Sequence, residues 1–255
     1  MNKGLKSALI IPDCHIPYED KRAYALMLRA AKDIDPDEIV ILGDFADFYS
    51  VSSHAKDPRV TDLLVDEVAA VIQKLDELDK LFPRAKKVYL EGNHENRLER
   101  YLVDRAPALF GCTQVSYLFD INKRPNWTFI PYTPKQKHLV LGSHLYAKHT
   151  PLSNSAKATV TKALCSLVYG HIHSMEENHI VGMDGTNHVA FSVGWLGDKN
   201  KDLVFNYVKN HHQWQLGFGI VYVNPANRYF YHQKVHILES NGKYSCVANG
   251  KLYET

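Results

Sequence analysis

Ala8-Leu9-Ile10-Ile11-Pro12-Asp13-Cys14-His15 reads as a short apolar strand that stops at a proline and then presents a carboxylate and an imidazole. The pattern returns at Glu38–Leu42, closed by Gly43-Asp44, and at Lys87–Leu90, closed by Gly92-Asn93-His94-Glu95. A helix over Lys21–Ile34, stopped by Asp35-Pro36, separates the first two strands. A long amphipathic helix from about Thr61 to Phe82 separates the next two, with Leu64, Val68, Val71, Ile72, Leu75, Leu78 and Leu81 on one stripe. This β-α-β-α-β order predicts parallel strands with right-handed crossovers. In such sheets ligands gather at the carboxyl ends of the strands, where these three motifs lie.

The second half is richer in strand. Trp127–Ile130, His138–Leu141 and Leu145–Lys148 read as short strands, the last delivering His149. A helix over Ser155–Cys165 precedes the strand Leu167–Tyr169, which delivers Gly170-His171-Ile172-His173. Further strands are expected at Asn187–Val193 and Gly219–Val223. Asn241-Gly242 and Asn249-Gly250, flanked by alternating apolar residues, predict hairpin turns, since a type I′ turn needs positive φ at both positions. The tail is therefore expected to be a β-meander. With no linker, low-complexity run or repeat, the expectation is one domain over 1–255, with a motif core at about 8–175 and a β-rich completion at 176–255.

Asp13, His15, Asp44, Asn93, His149, His171 and His173 are seven oxygen and nitrogen donors, and His94 is a further imidazole. A strand's period of two would aim Asp13 with His15, and His171 with His173, to common sides. Seven donors exceed one tetrahedral zinc, and the cysteines lack the spacing of a structural zinc site. The set suits two adjacent divalent ions, an arrangement fitted to in-line displacement at phosphorus.

Bulk properties narrow the class. The 255 residues are 45% apolar, enough for one large core, and no stretch approaches a membrane span. No signal peptide is evident at the N-terminus. Cys14, Cys112, Cys165 and Cys246 show no disulfide framework, so a reducing cytoplasm is expected, that of a host if the chain is phage-encoded. A formal net charge of +2 gives no basic stripe for tight duplex binding, beyond the small clusters Lys123/Arg124 and Lys135/Lys137. Protein partners are left open, and no membrane association is expected.

The five motifs, in this order on strand ends, resemble those of the calcineurin-like metallophosphoesterase superfamily. The stretches Gly194-Trp195-Leu196 and Trp214-x-x-Gly217-Phe218 are similar to phage-type and bacterial members. The resemblance implies an α/β fold, a four-layer α/β/β/α sandwich with two packed mixed sheets. It implies that Asp13, His15 and His173 hold one metal, that Asn93, His149 and His171 hold a second, and that Asp44 bridges them. Manganese is the expected ion, with iron, zinc, nickel or magnesium as alternatives. It implies that His94 protonates the leaving oxygen or stabilises phosphoryl charge, and that Asp47 orients His94, unless Asp47 is a helix cap or loop carboxylate. The expected mechanism is in-line attack by a hydroxide between the metals.

This chain departs from the family pattern at His149-Thr150-Pro151, where His-Gly is usual and His144 on the same hairpin could compete, and at Pro12, where a small residue is commoner. Phosphoprotein phosphatases of the superfamily carry an arginine just after the Asp47 position; here it is Phe48. Arg97 or Arg100 could reach a phosphate at a helix start, with Arg97 the candidate, or pair with Glu95, Glu99 or Asp104. Cys14 is expected to pack in the core rather than ligate. Phe45, Phe48, Tyr49, Tyr101, Trp195, Tyr207 and Trp214 are candidate stacking surfaces for bases. The expected activity is a phosphodiesterase or nuclease acting on nucleic acid or nucleotides. A phosphomonoesterase is the alternative, and a metal-dependent phosphate-binding module without turnover the second.

Overall fold

The protein is seen as a computed structural model that describes residues 4–205 and 213–255. Strand β1 (Lys6–Ile11), helix α1 (Lys21–Ile34), β2 (Glu38–Ile41), α2 (Leu64–Leu81), β3 (Lys86–Leu90), α3 (Arg97–Arg105), the short α4 (Val115–Leu118) and β4 (Trp127–Ile130) form the first half. The second half carries β5 (His138–Leu139), β6 (Leu145–Lys148), α5 (Ala156–Ala163), β7 (Ser166–Tyr169), β8 (Glu177–Val181) and β9 (Asn187–Ser192). It closes with β10 (Gly217–Val223), β11 (Phe230–His236), β12 (Leu238–Ser240), β13 (Lys243–Ala248) and β14 (Lys251–Glu254).

Among the described residues one sheet runs β11-β10-β1-β2-β3-β4 and a second runs β5-β6-β7-β9-β8. Strands β1 to β4 are mutually parallel, and β10 and β11 complete that sheet antiparallel. In the second sheet β6, β7 and β9 are parallel, with β5 and β8 antiparallel at its edges. Both sheets are thus mixed.

Alternation along the strands builds the layers. Leu9, Ile11, Ile39, Ile41 and Tyr89 point to one side, into a core with Tyr24, Met27 and Ala31 of α1 and Val71, Leu75 and Leu78 of α2. Ala8, Ile10, Val40, Leu42, Val88 and Leu90 point to the other, into a core with Leu145, Ala147, Val168, Val189 and Phe191 of the second sheet. The outer face of that sheet is covered by α5 through Val160, Leu167, Tyr169 and Ala190. Strands buried on both faces explain why the sequence shows unbroken apolar runs rather than alternation.

Local chemistry sets the ends. The Asp20 carboxylate accepts from Arg22 N and Ala23 N to start α1, and Asp35 in the left-handed region stops it. Helix α2 begins at Leu64, later than Thr61, because the Asp66 carboxylate reaches back to Leu63 N. Strand β5 is shorter than the expected His138–Leu141: Leu141 and Gly142 both take positive φ, turning the chain. β8 and β11, absent from the sequence reading, pair at sheet edges with mixed burial. In the tail Asn241, Gly242, Asn249 and Gly250 all have positive φ and β12-β13-β14 form the expected meander, tied to α1 by Tyr244 Oη donating to Asp20 at 2.6 Å. Among the described residues no helix is long and apolar enough to cross a membrane.

Because Ile10 is wholly buried between the two sheets, Ile10→Ala should cost about 2–5 kcal/mol in stability. Urea unfolding should show a lower midpoint with an unchanged slope; a wild-type midpoint would contradict the sheet-on-sheet packing.

Candidate metal centre

Each candidate donor follows the carboxyl end of a parallel strand. Asp13 and His15 lie past β1, Asp44 past β2, Asn93 and His94 past β3, His149 past β6, and His171 and His173 past β7. Since the two sheets pack face to face, loops from both meet at one edge. The strand-period expectation for the paired donors fails, because the pairs lie beyond the strands. His15, Asp44, His171 and His173 all adopt left-handed φ, at 53°, 48°, 71° and 59°. Such non-glycine conformations persist only where surrounding bonds hold them. Here His15 N donates to Asp44 O at 2.9 Å, Ile16 N to Phe45 O at 2.8 Å, and Gly170 N to His149 O at 2.9 Å.

The result is overlapping donor groups rather than two aligned pairs: two meet at Asp44, and a third, His15 with Asp47 and His94, adjoins them. Asp13, His15, Asp44 and His173 offer atoms within 4.8 Å of one another, and so do Asp44, His149 and His171. The two histidines of His171-Ile172-His173 therefore serve different groups, and Asp44 belongs to both. Asn93 joins the second through Oδ1, 2.9 Å from His149 Nε2, while Asp44 Oδ1 lies 3.3 Å from the same nitrogen. All of these side chains are buried except Asn93, which is half-buried, and His171, which is exposed.

The chemistry of the donors fits divalent cations. His15 Nδ1 donates to Asp47 Oδ2 at 2.9 Å and His149 Nδ1 to Leu42 O at 2.8 Å, so each ring turns its Nε2 into a donor group. His15 Nε2 and His173 Nε2 face each other at 3.1 Å, a pairing that needs a shared proton or a shared cation. Asp13 Oδ2 is buried with no hydrogen-bond partner among the described residues, a costly state for a carboxylate oxygen. Gly170 leaves room for it: a Cβ there would lie 2.6 Å from Asp13 Oδ2.

The electrostatics agree. Burial opposes ionisation of Asp44, but His149, His94 and His15 outweigh it and hold the carboxyl well below its ordinary range. Burial likewise opposes Asp13, and His173 and His149 keep it low. Burial, with neighbouring His94, depresses His15 to about 4, a neutral imidazole near neutrality. His149 is lifted to about 9, because Asp44 and Asp13 overcome its burial. A proton and a divalent ion would compete for that nitrogen.

Beside these groups Asp47 joins three side chains. It accepts from His15 Nδ1, its Oδ2 lies 3.2 Å from His94 Nδ1, and its Oδ1 lies 3.1 Å from Arg97 Nη1. Against the cost of burial, His94 and His15 hold Asp47 far below the usual carboxylate range. Burial lowers His94, but Asp44 and Asp47 prevail and raise it. Asp47 therefore touches His94, as expected, but it touches His15 as well. Arg97 pairs with Asp47 and not with Glu95, Glu99 or Asp104, while exposed Arg100 donates to Asn93 O at 3.1 Å.

His144, the competitor for His149, is exposed at the opposite end of β6. Cys14 is buried and donates to Pro12 O, a packed thiol as expected. The aromatic expectation needs correction. Phe45, Phe48, Tyr49 and Trp195 are buried and offer no open face, because the strand-end loops fold them into the core. Tyr101 is exposed, and Tyr207 lies outside the described residues. Half-buried Trp214 packs edge-on against His173, with ring centroids 4.4 Å apart, and half-buried Tyr132 lies 6.0 Å from His149.

Two buried side chains were missed as site builders. The Glu95 carboxylate accepts from Asp44 N, Phe45 N, Ala46 N, Gly92 N and Tyr89 Oη at 2.7–3.0 Å. Its place in Gly92-Asn93-His94-Glu95 was the available signal. Gln136 accepts from His149 N at 3.0 Å and donates to Glu91 O at 2.7 Å, joining a loop of each sheet; nothing in its sequence surroundings marks it.

Known proteins resemble this chain. The "Gene 54 protein" of Mycobacterium phage L5 is 25% identical over 231 residues, covering 86% of this chain and 89% of its own. Its counterpart in Mycobacterium phage D29 is 24% identical over 245 residues with the same coverage. Among solved structures, a single mutant of Vps29 from Entamoeba histolytica is 9% identical with a TM-score of 0.42, covering 98% of this chain and 97% of that one. Yfce, a phosphoesterase from E. coli, is 14% identical with a TM-score of 0.39, covering 89% and 98%. The sequence profile of the calcineurin-like phosphoesterases matches residues 7–243, a span that takes in every donor loop described above. This chain therefore belongs to the calcineurin-like phosphoesterase family.

Proposed function

We propose that this protein is a two-metal phosphodiesterase acting on nucleic acid or nucleotides. The observation that carries the reading is Asp44, one carboxylate common to two adjacent donor groups. Asp13, His15, Asp44 and His173 would hold one ion, and Asp44, Asn93, His149 and His171 the other. Manganese is the ion we propose, from the mixed oxygen and imidazole donors. The pair, when bound, supplies Lewis-acid stabilisation of a phosphoryl group and an activated water.

The chain's own residues do the rest. Asp44, common to both groups, would offset part of the repulsion between two dications, and the Asn93 carbonyl and deprotonated imidazoles would complete the sites without excess charge. His94 stands outside both groups, its Nε2 3.9 Å from Asp44 Oδ2, where it can give a proton to a leaving oxygen. Asp47 fixes the other face of that ring. For the substrate class, Phe48 is buried against Phe119, so position 48 offers a phosphate no guanidinium. Trp214 and Tyr132 flank the two groups and suit a base on either side. The small net charge favours short or single-stranded substrates over tight duplex binding.

Metal analysis of protein loaded with manganese should give two ions per chain, and Asp44→Ala should empty at least one site. A stoichiometry of one with full activity would sink the binuclear arrangement.

His94→Ala should lower turnover by about 10²–10⁴-fold with metal content nearly unchanged. If it loses metal as thoroughly as Asp44→Ala, the placement of His94 outside the donor groups is wrong.

Across an aryl monoester, an aryl diester, single- and double-stranded DNA, RNA, nucleoside monophosphates and a phosphopeptide, catalytic efficiency should be greatest for diesters and single strands. Monoester hydrolysis without diester cleavage would make the protein a phosphomonoesterase. Two bound metals with no turnover on any substrate would make it a binding module.

A further inference from the structure

Arg97 is the first residue of α3, and its side chain is only 7% exposed. Nη1 donates to Asp47 O at 3.0 Å and Asp47 Oδ1 at 3.1 Å, and Nη2 lies 3.0 Å from His94 Nε2. A guanidinium has donors and no acceptor, so this contact is a hydrogen bond only while His94 Nε2 carries no proton. Moving Nη2 to a phosphoryl oxygen frees Nε2 to be protonated, the form in which His94 acts as an acid. The other ring nitrogen, Nδ1, faces Asp47 O at 3.1 Å. One arm of the fork is thus anchored on a buried carboxylate, and the other is carried to the imidazole nitrogen nearest Asp44. Among the described residues Nε has no hydrogen-bond partner.

An arginine that served only as a structural ion pair would be satisfied by Asp47. Nothing in that role requires a second arm against an imidazole. A phosphoryl group set beside Asp44 would bring an anionic oxygen to His94 Nε2, and Nη2 already stands there. Moving that hydrogen bond from a neutral nitrogen to an anionic oxygen strengthens it, since bonds to ionised acceptors are about twice as strong. The planar fork can do this without releasing Asp47, because Nη1 keeps its anchor. Arg100 lacks these features: it is exposed, and among the described residues no carboxylate holds it.

We propose that Arg97 is the residue that grips the substrate's phosphoryl oxygen, aimed by Asp47 and standing beside His94. The assignment rests on the phosphoesterase reading of the same site. Its test uses the full-length, manganese-loaded protein and its Arg97→Met and Arg97→Lys variants. Inorganic phosphate is the binding probe, an aryl phosphodiester the substrate, and metal content is measured alongside.

Arg97→Met should weaken phosphate binding and raise KM by about tenfold to a hundredfold, with a smaller effect on kcat and metal content retained. Arg97→Lys, which keeps the charge without the fork, should fall between the wild type and Met. If the Met variant fails to fold, the Lys variant decides: weakened phosphate binding with metal retained supports the assignment. Unchanged phosphate affinity and KM in the folded variants, while the wild type turns over, would overturn this role alone. Loss of metal in step with loss of phosphate would reduce Arg97 to a scaffold residue and overturn it too. A metal-loaded wild type that neither binds phosphate nor cleaves any ester would sink the phosphoesterase reading and this assignment with it.

Discussion

Much of the site depends on one buried carboxylate. Glu95 accepts five hydrogen bonds, three of them from the consecutive amides of Asp44, Phe45 and Ala46. Hydrogen bonds to a charged acceptor are worth about 1.5–3 kcal/mol each, and the same carboxylate buried without them would be strongly unfavourable. Burial and the nearby Asp44 charge push Glu95 up, and the donors from Ala46 and Tyr89 oppose them. The clamp ties the turn after β2 to the turn after β3. Asp44 is thereby held in a left-handed conformation, with Oδ1 accepting from His94 N at 2.8 Å. The approach is close: a Cβ on Gly92 would lie 2.1 Å from Asp44 Oδ1, so only glycine fits there.

From that fixed carboxylate the rest follows by contact. His15 N reaches Asp44 O, so the turn after β1 is registered on the turn after β2. The second sheet is joined by Gln136, which holds His149 N and Glu91 O, and by Asp13 Oδ1, which accepts from His171 N at 2.8 Å. Helix α2 also takes part, although it carries no donor. The buried carboxylate of its Glu67 accepts from Tyr49 N and Ser50 N, closing the loop that begins at Asp47. Histidine orientation is set from behind by Asp47 and Leu42 O, so Nε2 is the nitrogen presented in both cases.

This economy has an electrostatic side. Asp13, Asp44 and Asp47 are packed with little solvent, and their mutual repulsion is relieved by His15, His94, His149, His173 and Arg97. A cation entering such a cluster meets charge already desolvated, where attraction is less screened than in water. The orphaned Asp13 Oδ2 is the plainest sign that the side chains alone do not satisfy one another.

The sequence by itself determined most strands and helices and the strand ends that carry the site; the layers were what the family resemblance implied. Apolar runs closed by Gly-Asp, Gly-Asn and Gly-His are local signals, as are the helix stripes and the two Asn-Gly turns, and each is read within a few residues. Within each sheet strand order then places that sheet's donors at one edge, because parallel strands end together. The tertiary structure decided what the donors do there. Period two misread Asp13 with His15, and His171 with His173, since these residues lie past the strands in left-handed turns held by bonds from distant segments. The pairing of Arg97 with Asp47, the sharing of Asp47 between His15 and His94, and the bonds of Glu95 to Asp44 N and of Gln136 to His149 N join residues 13 to 51 positions apart. The burial of Phe45, Phe48, Tyr49 and Trp195 was equally out of reach, because composition counts an aromatic ring without saying which face the packing leaves open. Contacts of that range are fixed by how two sheets meet, and no local pattern carries that information.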